Sequence, residues 1–230
     1  MANGIDNNSS AREAVLGRVR RALDKKGDRS AALADAQRYI AQHATGPRPK
    51  LEDDLVTHFL RRASDMESTV ERLGSRAEIP GAVARYLDAL ELPPELAAQK
   101  SHRGVCWPEL ADLDWKRAGV TIEARPTVGD DRLGITGSFC GIAETGTLVI
   151  LTGVDTPTAT TLLPDTHVAV LRAERIVAGM EEAFALIRSE RGQLPRAVNM
   201  ISGPSRTGDF EQTFVLGAHG PYRTHILVVG

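Results

Sequence analysis

An α/β domain, with a mostly parallel sheet flanked by helices and an N-terminal helical extension, is predicted by three features of this 230-residue chain. Leu148-Val149-Ile150-Leu151 and His167-Val168-Ala169-Val170-Leu171 are continuous apolar runs, the pattern of strands covered on both faces. Residues 175–189 carry Ile176, Met180, Ala183, Phe184 and Ile187 in helical step, as a crossover between parallel strands requires. Ahead of these, residues 10 to about 90 show helical periodicity alone.

The elements follow in order. Ser10 with Glu13 three residues on fits a capping box, and Val15, Leu16, Val19, Ala22 and Leu23 recur behind it at helical spacing. The opposite face, with Arg12, Arg18, Arg20, Arg21, Lys25 and Lys26, suits solvent or an acidic partner. A second helix is predicted over 31–42, closed by Gly46-Pro47-Arg48-Pro49. The stripe Leu55, Val56, Phe59, Leu60, Ala63, Met66, Val70 and Leu73 predicts a third that Gly74 ends. A fourth starts at Pro80, buries Val83, Tyr86, Leu87 and Leu90, and stops at Pro93-Pro94. Strands are predicted at 104–107, 120–122, 148–151, 167–171, 197–201 and 224–229. The expected division is a helical extension over 1–45 and an α/β domain over 46–230.

Composition excludes several roles. With 28 basic and 30 acidic side chains the net charge is −2, so a whole-chain grip on nucleic acid is not expected. Cys106 and Cys140 allow one disulfide at most and cannot alone form a four-cysteine iron–sulfur or zinc site, so no metal is assigned. No cofactor signature is visible. No apolar run approaches the ~20 residues of a membrane span. The first ten residues lack the apolar core of a secretory signal, which makes the cytoplasm the default location.

Three segments carry chemistry. In the first, a Gly- and Thr-rich stretch from Gly134 to Thr147, Glu144 is the one ionisable group between Arg132 and Asp155. Isolated among apolar turns, its carboxyl is expected to titrate high and to serve as a base or nucleophile. The equal alternative is that Glu144 caps a helix or pairs with a buried arginine. Thr145 and Thr147 add hydroxyls. The spacing matches neither a dinucleotide fingerprint nor a Walker loop. The second segment, from Ile201 to Asp209, offers Ser205, Arg206 and Thr207 as a carboxylate or phosphate cradle, unless Arg206 and Asp209 simply pair in a turn. The third places His219 between small residues and Gly220-Pro221, like a loop histidine rather than a core one. His167 begins a strand, and His43 and His58 are expected on helix surfaces. Glu144, Arg206, Asp209 and His219 are expected to converge on one pocket, lined by Ser205 and Thr207.

The run from Gly141 to Val149, then Ser202-Gly203-Pro204-Ser205-Arg206-Thr207, then Gly217-Ala218-His219-Gly220-Pro221, resembles the LUD-domain family in its short, single-domain form. The resemblance covers about residues 50–230. It implies a sheet architecture like that of the ribose-phosphate isomerase, glucosamine-phosphate deaminase and CoA-transferase group. It also implies a part in oxidising L-lactate to pyruvate beside two iron–sulfur partner proteins. Larger LUD proteins carry ferredoxin-type cysteine runs and this chain has none, so any electron transfer through clusters falls to a partner. The competing reading is a stand-alone enzyme on a phosphorylated sugar or an acyl-CoA, with Glu144 as base or nucleophile and Arg206 on the anion.

Overall fold

The protein is described by a computed structural model over residues 6–23, 29–44, 46–91, 102–210, 213–217 and 219–230. Two helices, α1 (Asp6–Leu23) and α2 (Arg29–Gln42), belong to one compact unit, Met1–Pro47; the remainder forms a second, Arg48–Gly230. α1 already runs through Ser10, so the Ser10–Glu13 pair lies inside the helix rather than at its start. Among the described residues no helix is long and apolar enough to cross a membrane.

In the larger unit six strands form one wholly parallel sheet. These are β1 (Thr69–Leu73), β2 (Arg103–Cys106), β3 (Thr121–Ala124), β4 (Leu133–Gly137), β7 (Thr166–Arg172) and β12 (Arg223–Val229), in the spatial order β1-β12-β7-β4-β2-β3. Successive side chains of a strand point to opposite faces, so each strand supplies two cores. Ile135, Val168 and Leu227 face α4 (Ile79–Ala89), whose Ile79, Ala82, Val83 and Leu87 cover them. Ala169, Leu171, Ile226 and Val228 face the other way, onto Phe59 and Ala63 of α3 (Leu55–Asp65). On that side also lies a second, mixed sheet in the order β8-β5-β6-β9, built from β5 (Cys140–Ile142), β6 (Thr147–Leu151), β8 (Ile176–Val177) and β9 (Val198–Ile201). Its far face, with Cys140, Ile142, Val149 and Leu151, is closed by Ala183 and Ile187 of α6 (Met180–Arg191). A short helix α5 (Ala159–Leu162) precedes β7, and β10 (Arg206–Phe210) and β11 (Thr213–Leu216) make a separate hairpin.

Three sequence expectations are corrected. The third helix does not reach residue 73: it ends at Asp65, Glu67 turns the chain at φ +63°, and residues 69–73 become β1 beside β12. Burial of Val70 and Leu73 in a sheet outweighs their agreement with the helical period. The crossover helix begins at Met180 rather than 175, because Ile176–Val177 pairs with β5 and Gly179 caps the helix. His58 is buried rather than on a helix surface, its Nδ1 accepting from the Glu52 amide. Residues 92–101, including the expected stop at Pro93-Pro94, lie outside the described residues.

Candidate functional site

The end of α3 gathers the first two chemical segments. Gly146, in the turn between β5 and β6 at φ +66°, packs directly on the α3 backbone: a Cβ there would lie 2.3 Å from the Ala63 amide nitrogen. Gly203, just after β9 at φ +86°, sits equally close to the next residues, where a Cβ would meet the Met66 carbonyl at 2.1 Å. Both glycines therefore serve turn geometry and close approach at once. Arg62 donates from Nε to the Glu144 carbonyl, and Arg206 forms an ion pair with Glu67.

A chain of hydroxyls ties the two segments together. Thr145 Oγ1 and Thr147 Oγ1 are 2.7 Å apart, and Thr147 Oγ1 and Ser202 Oγ 2.6 Å. Thr147 is buried, so replacing it with valine keeps its volume but leaves Ser202 without that partner. Thr147→Val is expected to lower unfolding free energy by about 1–2 kcal/mol, measured by urea denaturation. An unchanged midpoint would show that the chain of hydroxyls contributes nothing.

Glu144 reaches the start of α6. Its carboxylate, the Glu182 carboxylate and the Arg48 guanidinium all lie within 3.1–3.3 Å of where a Cβ of Gly179 would stand. Arg48 pairs with Glu182 at 2.6 Å and Glu181 at 3.0 Å, and Glu182 accepts from the Gly179 amide. The hydrogen bond to Glu182, with weaker attraction from Glu181 and Glu144, raises the Arg48 pKa; the same bond holds the Glu182 carboxyl low. Glu144 thus stands half-buried beside a helix N-terminus and an arginine contributed from residue 48.

The third segment meets the second through backbone. The Ser205 amide donates to the Pro221 carbonyl, and the Gly217 amide to the Ser205 carbonyl. Gly220 lies against the Ser205 side chain, with His219 exposed beside it. Arg206 and Thr207 occupy a strand rather than a loop, with Thr207 opposite Val215. Asp209 is on the same strand, its side chain outside those described. Arg48, Glu67 and Ser202 escaped the sequence-based site; only Ser202 had a local signal, its place in the second segment.

Neither cysteine offers reactive chemistry. Cys106 and Cys140 are free, buried and in different core layers, and burial pushes both thiols up to about 11.

The LUD domain profile matches residues 96–229, which contain all three segments. The chain belongs to the LUD-domain family. Lactate utilization protein C of Bacillus licheniformis is 34% identical over 127 residues, 54% of this chain and 53% of that protein. The chain thus spans about half the length of that relative. In Geobacillus kaustophilus the protein of the same name is 34% identical over 198 residues, 77% of this chain and 79% of its own. That of Deinococcus radiodurans is 28% identical over 191 residues, 80% and 84% of the two chains. A solved DUF162 family protein from Deinococcus radiodurans shares the fold, with a TM-score of 0.55 and 24% identity over 79% of this LUD chain and 100% of that structure.

Proposed function

We propose that this LUD chain takes part in lactate utilization as the cluster-free subunit of a cytoplasmic system that oxidises L-lactate to pyruvate, beside two iron–sulfur proteins. The observation that carries the reading is similarity to proteins named lactate utilization protein C, extending over four-fifths of the chain in one case. Two buried cysteines in different core layers agree with placing the clusters in partners. The ligand on this side of the assembly is a small carboxylate or phosphate. Ser205, Arg206 and Thr207, with Thr145 and Thr147, are the groups assigned to bind it; Glu144, Asp209 and His219 are those assigned to move a proton. Arg206 would then exchange its ion pair with Glu67 for the ligand.

The test is reconstitution with the native partner proteins, assaying L-lactate-dependent reduction of an electron acceptor with each component omitted. Omission of this chain is expected to abolish reduction. Full activity without it, or turnover of a phosphorylated sugar or acyl-CoA by the chain alone, overturns the reading.

A further inference from the structure

The carboxyl edge of the parallel sheet holds a pocket that takes Ser138 and Phe139 from the first segment and nothing from the other two. The chain passes from β2 outward to β3 but from β4 the opposite way to β7, and β2 and β4 are neighbours. In open α/β sheets the crevice beyond the carboxyl ends of two such strands is where ligands bind. Here it is a cavity of about 210 Å³ bordered by Trp107 after β2, Ser138 and Phe139 after β4, and Arg172 at the end of β7. A water molecule occupies roughly 30 Å³ in the liquid, so the space suits a small organic molecule.

Its charges are arranged for an anion. Arg175 is saturated: Nε donates to the Phe139 carbonyl at 2.9 Å and both terminal nitrogens engage Glu190. Arg191 shares the Phe139 ring with Arg175, at 5.8 Å against 4.7 Å from its centroid, but closes no ion pair among the described residues. Among the described residues Arg172 holds one ion pair, an exposed one with Glu174, of the kind worth under about 1 kcal/mol. Two guanidinium groups thus remain to fork onto a carboxylate. Across the pocket, the Glu109 carboxylate overlies Gly137, where a Cβ would lie 1.8 Å from Oε1. Ser138 Oγ donates to the Val170 carbonyl at 2.7 Å, which leaves its lone pairs for a ligand hydroxyl. Trp107 and Phe139 supply apolar wall.

We propose that this pocket binds a short-chain 2-hydroxy carboxylate, its carboxylate on Arg191 and Arg172, its hydroxyl donating to Glu109 or Ser138, and its alkyl end against Trp107. The inference rests on the lactate reading for its ligand class and gives that reading a second site, apart from Arg206. The test is calorimetric titration of the full chain with L-lactate, and with propionate, which lacks the hydroxyl. L-Lactate is expected to bind, propionate at least tenfold more weakly, and Arg191→Gln and Arg172→Gln each to lose at least tenfold in affinity with unchanged melting temperature. Wild-type affinity in both arginine variants, or no binding up to about 10 mM, overturns the proposal. Loss on Arg206→Gln instead would move the ligand to the three-segment surface. The assembly reading stands or falls separately, by the omission assay.

Discussion

Gly146→Ala is expected to lower the melting temperature of the Arg48–Gly230 unit by about 10 °C. Two terms act together. A non-glycine residue at φ +66° costs about 1–2 kcal/mol in the left-handed region. The added Cβ would also lie 2.3 Å from the Ala63 amide and 2.5 Å from the Arg62 carbonyl carbon, both backbone atoms of α3. No side-chain rotation relieves that, so α3 must lift from Leu148 and Ala169, at a further 1–3 kcal/mol or so. At about 2–4 °C per kcal/mol for a domain of this size, the sum is the stated shift. Thr145→Ala, at the exposed neighbouring position, is the control and should change stability much less. A Gly146→Ala protein melting within about 2 °C of wild type would mean that the turn is not held against α3.

That packing also explains what the sequence could and could not disclose. Strands such as β6 and β7 were legible because burial on both faces demands an unbroken apolar run. β1 was not, since Val70 and Leu73 continue the helical stripe of α3 and only a distant partner, β12, pulls them into a sheet. Half of the second sheet was hidden: β6 and β9 were legible, but β5 has three residues and β8 two, too short for a period to register. In the candidate site the order of the three segments was readable, but their glycines read as ligand cradles when two of them pack on α3. Glu144 looked isolated because its neighbour in space, Arg48, is 96 positions away in the chain. Arg206 looked available because Glu67 gives no local sign of pairing with it. Interactions of this separation leave no mark in a window of ten or twenty residues.

Acidification from pH 7 to pH 4 is expected to remove about 6 kcal/mol of stability, most of what a domain of ordinary stability possesses. Two histidines inside the sheet are responsible. His167 on β7 is completely buried, with Nε2 2.8 Å from the Thr136 hydroxyl and, among the described residues, no partner at Nδ1. His225 on β12 stacks on Tyr86 at 4.1 Å and shares a 2.8 Å hydrogen bond with Thr69. Burial pushes both imidazoles down to about 4, although Glu71 draws His225 slightly the other way. In the unfolded chain each titrates near 6.5, so below that pH the unfolded state binds the protons first and stability falls as pH falls. Well above 6.5 both states are neutral and the contribution is fully present; by pH 4 each histidine has withdrawn about 3 kcal/mol. The carboxyls held low by arginines, Asp131 by Arg125 and Glu182 by Arg48, lose their contribution over a lower range, as pH falls through the ordinary carboxylate values. The two groups therefore separate on the pH axis. Urea unfolding at half-unit steps from pH 7 should show a slope approaching 2.7 kcal/mol per pH unit near pH 5, two protons' worth. His167→Gln keeps a polar atom toward Thr136 and should halve that slope, whatever it does to stability at pH 7. A flat profile between pH 6.5 and 5, or an unaltered slope in His167→Gln, would show that these imidazoles reach solvent.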